Sequence, residues 1–154
     1  MAGLGTVGAG VVKLLRQQAS LVSLRSGRDI AITAVSARDP SKDRGFNLAD
    51  LKWSSDPLEL AIDKNVDVVV ELIGGEDGIA KELIETAIAN GKHVVTANKA
   101  LIAHHGTELA RSAEIANVII AFEAAVAGGV PIVNALREGL VGNKILRIFG
   151  ILNG

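Results

Sequence analysis

The sequence predicts an α/β protein built on a doubly wound parallel sheet of the Rossmann type. Three observations carry that prediction. Short β-branched runs alternate with stretches of helical periodicity, the rhythm of βαβ units joined by right-handed crossovers. A Gly3-x-Gly5-x-x-Gly8 pattern opens the first helical stretch. Finally, 49% of the 154 residues are hydrophobic but only 3% are aromatic. A core of Val, Ile, Leu and Ala suits helices laid on a sheet better than a surface for stacking bases.

The elements follow in order. Val7, Val11, Leu14, Leu15 and Gln18 fall at helical spacing, with Lys13 and Arg16 turned outward. A strand is expected from Ile30 to Ser36, then a polar loop over 40–52, and Trp53 begins a short further strand. Asp56-Pro57-Leu58-Glu59 is a helix start: a cap acceptor, Pro at the first position, Glu three residues after the cap. Val66 to Ile73 is nearly all apolar, the pattern of a strand covered on both faces, and Gly74-Gly75 stops it. Ile79, Leu83, Ile84, Ala87 and Ile88 predict a helix ended by a left-handed cap at Asn90-Gly91. A strand over His93–Thr96, a helix over 107–116 and a strand over 118–123 come next. Pro131 opens a helix through Glu138, and Ile145 to Leu152 reads as a last strand.

One feature departs from a complete domain of this type. Its first strand is normally central in the sheet, yet only Met1 and Ala2 precede Gly3. The chain stops inside or just after a strand, at Asn153-Gly154. Residues 1–154 therefore read as a dinucleotide-binding domain truncated at both ends.

Several function classes are disfavoured. Sixteen basic and seventeen acidic residues give a net charge of −1, which leaves no electrostatic footprint for nucleic acid or anionic lipid. No long uninterrupted apolar stretch predicts a membrane span, and no secretory leader is recognisable. The absence of Cys removes thiol nucleophiles and disulfides and is compatible with a cytoplasmic protein.

The glycine pattern carries the chemistry. Gly3 permits a tight turn, Gly5 lets a pyrophosphate approach the backbone, and Gly8 lets helix and strand pack closely. The helix N-terminus then offers free N–H groups and partial positive charge to the phosphates. At the end of the 30–36 strand, an acidic residue reads a ribose hydroxyl and an Arg accommodates a 2′-phosphate. Arg38 favours NADP or is a solvated turn residue paired with Asp39, and Asp39 keeps NAD open. Ile73 and Gly74 end one strand and Thr96 the next, where an open sheet of this kind binds its ligand. Lys99 follows directly. It serves either as an ordinary surface lysine or as a group that holds substrate or moves a proton; its strand-end position favours the second. Glu123 leads a small-residue turn, Ala124 to Pro131, that either caps the next helix or exposes carbonyl oxygens to a hard cation. The adjacent His104-His105 lack metal-ligand spacing and read as surface residues, and Trp53 reads as packing.

Taken together, Ala2-Gly3-Leu4-Gly5-Thr6-Val7-Gly8, Val35-Ser36-Ala37-Arg38-Asp39, Val68 to Gly75, Val95-Thr96-Ala97-Asn98-Lys99-Ala100-Leu101, Glu123 to Ile132 and Gly150-Ile151-Leu152-Asn153-Gly154 closely resemble, in order, the N-terminal half of homoserine dehydrogenase. The resemblance implies NAD(P)-dependent interconversion of L-homoserine and L-aspartate 4-semialdehyde, on the route to threonine, methionine and isoleucine. It implies that Leu4, Thr6 and Val7 line the pyrophosphate turn and that Arg38 meets the adenosine phosphate. Ile73, Gly74 and Thr96 would face the ribose and nicotinamide, and Lys99 the cofactor and reacting centre. A sodium ion, held in some members, would fall to Glu123, Val126, Gly128 and Val130. Residues 141–154 would begin the catalytic and dimerisation region, and the full-length protein would be a homo-oligomer. The acidic substrate-binding residues and a second lysine would lie past residue 154, so the 154-residue piece is expected to lack turnover. The competing readings are a non-catalytic NAD(P)-binding regulatory module and another dehydrogenase of aspartate-derived substrates.

Overall fold

A computed structural model describes residues 1–150. Two parallel sheets share a two-residue seam. Strands β1 (Ala34–Ser36) and β2 (Lys52–Ser54) form one sheet, and β3 (Val68–Glu71), β4 (His93–Thr96) and β5 (Ile120–Ala121) the other. Ala2 bridges both, pairing with Ser36 on one side and Glu71 on the other, both in parallel. Its N–H donates to the Val70 carbonyl at 2.8 Å, and its own carbonyl accepts from Leu72 N–H at 2.8 Å. Met1 and Ala2 thus stand where the central strand belongs. With that stub counted first, the order across the molecule is third, second, first, fourth, fifth, sixth, the doubly wound order.

Helix α1 (Thr6–Gln17) and the loop leading into β2 cover one face at the first half of the sheet, over Met1, Leu4, Val12 and Val35. Helices α3 (Leu58–Ile62), α4 (Ile79–Ala89) and α5 (Lys99–Ile115) pack on the opposite face, burying Leu60, Val69, Leu83, Ile84, Val94 and Leu101. A short helix, α2 (Ala19–Ser26), follows α1 without buried residues and ends at Gly27 with φ +69°. A 3-10 turn (Glu123–Ala125), a single helical turn α6 (Ile132–Asn134) and a π turn (Ala135–Gly139) close the chain. Among the described residues no helix is long and apolar enough to cross a membrane.

Several expectations need correction. The strand expected over 30–36 is confined to Ala34–Ser36, because the central stub offers only Met1 and Ala2 as ladder partners. The 66–73 strand shrinks to Val68–Glu71 and is not covered on both faces. Val68 is 43% exposed and Val95 on β4 38%, since α1 reaches only the first half of the sheet. On α1, Gly8 and Val12 face inward while Val7 and Leu14 are exposed. Close packing at Gly8 sets the rotation of the helix, and a 100° step per residue turns Val7 away. The 107–116 helix begins eight residues earlier, at Lys99. Its start signal is Asn98, whose side-chain oxygen accepts from Leu101 N–H at 3.2 Å. The 118–123 strand is reduced to Ile120–Ala121. Of the expected last strand, residues 145–150 are irregular and exposed, and Ile151 and Leu152 lie outside the described residues. The elements at Trp53, Asp56–Glu59, 79–89 and 93–96 stand where expected, with Gly91 at φ +70° after α4.

Candidate functional site

The carboxyl ends of the strands open onto a cavity of about 960 Å³ at the seam between the two halves of the sheet. The glycine turn forms its floor. Gly3 adopts φ +97°, and a Cβ there would lie 2.4 Å from the Leu72 carbonyl oxygen. A Cβ on Gly8 would stand 2.0 Å from the Gly3 carbonyl oxygen. Both are closed to any side chain. Gly5, by contrast, has nothing within 4 Å of an added Cβ. The two outer glycines are required by packing and the middle one leaves the backbone open, which is the division of roles a pyrophosphate needs. Gly5 caps α1 without a side-chain hydrogen bond, and the first turn holds no acidic residue. Its leading N–H groups and the positive end of the helix dipole are thus free for an anion. Leu4 is buried under the turn, while Thr6 and Val7 are exposed on it.

The first half of the rim is basic. Arg38 and Lys42 line the cavity and are exposed. Asp39 does not present its whole carboxylate. Its Oδ1 accepts from Ser41 N–H at 2.8 Å and Ser41 Oγ at 2.7 Å, and these bonds hold Asp39 below the usual carboxylate range. Arg44 is buried beneath the loop. Its guanidinium donates to three backbone carbonyls, Leu4 at 3.2 Å, Lys42 at 2.7 Å and Asp39 at 2.6 Å, and lies 5.5 Å from the Trp53 ring centre. One side chain therefore ties the glycine turn to the loop that carries Arg38. The bare letters of the sequence did not single Arg44 out. No residue type marks it in the sequence, because all three partners are main-chain carbonyls. Trp53, read as packing, is the partly buried aromatic surface on which that guanidinium rests.

The second half of the rim is the turn after β3. Gly74 and Gly75 have φ of +83° and +94°, and Ile73 is 39% exposed toward the cavity. Thr96 is fully buried. Its hydroxyl donates to Glu71 Oε2 at 2.6 Å and accepts from Asn98 N–H at 3.0 Å, so it faces the protein interior. Lys99, the first residue of α5, is exposed at the same edge. His104 and His105 lie one to two turns further along α5. They approach Glu76 at 3.4 Å and Asp77 at 2.8 Å in the loop after Gly75.

Glu123 stands apart from this rim. Its two carboxylate oxygens accept from Val133 N–H at 3.0 Å and Asn134 N–H at 2.9 Å, capping the chain after Pro131. The Val130 carbonyl accepts from Ile132 N–H at 2.8 Å. This is the helix-capping role the small-residue turn allowed. Each carboxylate oxygen keeps a lone pair beyond these bonds, the donor type that a hard cation takes. A second cavity of about 430 Å³, near Lys92 and His93, opens at the amino ends of β3 and β4, away from the ligand edge of such a sheet.

A family model described as the NAD binding domain of homoserine dehydrogenase matches residues 3–123. The chain belongs to the homoserine dehydrogenase family. The homoserine dehydrogenase of Neisseria gonorrhoeae is 53% identical over 152 residues, covering 99% of this chain and 34% of that protein. The chain thus spans about a third of the length of the curated relatives it matches. The crystal structure of a homoserine dehydrogenase from Thiobacillus denitrificans superimposes with a TM-score of 0.84 at 46% identity, over 92% of this chain and 32% of that one. A hyperthermophilic archaeal homoserine dehydrogenase in complex with NADPH shares the fold, with a TM-score of 0.73 at 23% identity, over 92% of this chain and 48% of the other.

Proposed function

We propose that this chain is the dinucleotide-binding part of an NADP-dependent homoserine dehydrogenase. The whole protein interconverts L-homoserine and L-aspartate 4-semialdehyde in the synthesis of threonine, methionine and isoleucine. The observation that carries the reading is the glycine floor: two positions closed to a side chain and one open, at an uncapped helix N-terminus, beneath a cavity of about 960 Å³. Leu4, Gly5, Thr6 and Val7 seat the pyrophosphate there. Arg38, with Lys42 beside it, supports a 2′-phosphate and hence NADP over NAD, since its fork of donors matches phosphate geometry.

When bound, the nicotinamide supplies the hydride chemistry. The protein's part is to orient it and to handle the proton of the substrate hydroxyl. The backbone at Ile73 and Gly74 forms the wall for the ribose and nicotinamide, Thr96 supports that wall from within, and Lys99 reaches from α5 toward the reacting centre. A sodium ion at Glu123 with the carbonyls of Val126, Gly128 and Val130 belongs to the same reading, supported by the donor chemistry alone. So does a domain running through 1–154, with 141–154 leading into the catalytic and dimerisation region of a cytoplasmic homo-oligomer whose partner is a small-molecule substrate. Titration with NADPH and NADH, followed by Trp53 emission, tests the binding part. NADPH is expected to bind more tightly, and failure of both to bind overturns the reading. Homoserine oxidation is expected from a chain extended to the relatives' length and not from the 154 residues alone.

A further inference from the structure

Glu71, at the carboxyl end of β3, is the one acidic side chain among the described residues that is fully buried. No cation pairs with it among the ion pairs of the described residues. A carboxylate in that position is costly unless donors surround it, and here they do. Oε1 accepts from Ile73 N–H at 2.7 Å and from Gly74 N–H at 3.1 Å, and Oε2 accepts from the Thr96 hydroxyl at 2.6 Å. The Thr96 hydroxyl stands between two partners, accepting from Asn98 N–H and donating to Glu71 Oε2, so Glu71 is the acceptor in all three bonds. The chain of bonds then closes on itself: Asn98 Nδ2 donates to the Gly75 carbonyl at 2.6 Å while Asn98 Oδ1 caps α5.

We propose that Glu71 is the positioning residue for the nicotinamide half of the crevice. Its carboxylate locks the Ile73–Gly75 turn to the start of α5, and so sets the distance between the glycine wall and Lys99. This rests on the dinucleotide reading above. Each half of a doubly wound sheet holds one mononucleotide, and Glu71, Thr96 and Asn98 all lie in the second half.

The test separates the two halves of the ligand. Calorimetric titration of the 154-residue chain uses NADPH and, separately, adenosine 2′,5′-bisphosphate, which occupies the first half only. Glu71→Gln is expected to raise the Kd for NADPH about tenfold while leaving the bisphosphate within about twofold, the scale of one misdirected buried hydrogen bond. Thr96→Val, close to Thr in shape, is expected to give the same split, and Thr96→Ser to recover most of the loss relative to Thr96→Val. Should Glu71→Gln fail to fold by circular dichroism, the threonine pair decides the matter. Equal weakening of both ligands, or of neither, overturns the positioning role while leaving the dinucleotide reading intact. A wild-type chain that binds neither ligand overturns the dinucleotide reading and the proposal with it.

Discussion

The two sides of the crevice are held by buried charges of opposite sign. On the first side Arg44 donates to the carbonyls of Leu4, Asp39 and Lys42. On the second Glu71 collects the N–H groups of Ile73 and Gly74 and the Thr96 hydroxyl. Each loop dictates its partner. The 38–44 loop turns carbonyls inward and needs a group that only donates. The 73–75 turn, with Gly74 and Gly75 in the left-handed region, directs N–H groups toward Glu71 and needs one that only accepts. Neither charge meets an ion-pair partner among the described residues, so in both places it is backbone geometry that selects the side chain. The difference also suits the proposed ligand: a cationic side would complement phosphate, and an anionic side withdrawn beneath its wall would suit a neutral or cationic ring.

The largest expected effect lies at the seam common to both sides. Gly8→Val places carbon where the Gly3 carbonyl already stands, so NADPH binding and the cooperative melting transition are both expected to be lost; retention of either in a calorimetric scan would break the symmetry drawn here. Arg44→Met comes next. It keeps the contact with Trp53 but strands three carbonyls, costing about 3 kcal/mol of stability, and chemical denaturation measures it. Unlike Glu71→Gln, it is expected to weaken adenosine 2′,5′-bisphosphate as well as NADPH. A loss confined to NADPH would show that the two sides are not independent.

The third effect concerns the seam itself. Burial lowers the Met1 amine from 8.0 to about 6, where it donates to the Ala34 carbonyl. The unfolded chain holds the proton between those values and the folded chain does not. Stability of the 154-residue chain is therefore expected to rise with pH from about 6 to about 8, by about 2–3 kcal/mol in all. Thermal melts across that range check the sign. An N-terminal extension that turns the amine into an amide abolishes the slope. Smallest is Arg38→Ala, an exposed contact. The affinity for NADPH is expected to fall about tenfold with NADH unchanged, and an equal change for both cofactors would remove Arg38 from phosphate recognition.

Much of this was legible in the letters. The Rossmann-type order follows from alternating periods, and the glycine floor from Gly3, Gly5 and Gly8, because only glycine tolerates those backbone positions. The helix at 79–89 and the strand at 93–96 carry strong local patterns and stand as expected. Strand lengths did not read correctly, since a β-branched run becomes a strand only where a neighbour completes its ladder, and the Met1–Ala2 stub is short. The helix at 99–115 is only half legible: Leu101, His105, Leu109 and Ala113 recur every fourth residue, but His105 interrupts the apolar stripe.

What the sequence by itself determined is therefore local: which positions must be glycine, where helices start, and which cations stand near the end of the 34–36 strand. Only the tertiary structure decided that Arg44 and Glu71 are the buried supports of the two rims. Their partners are main-chain carbonyls and N–H groups, and every residue type but proline has both, so the bonds leave no trace in residue identity. Their directions exist only once the chain has turned.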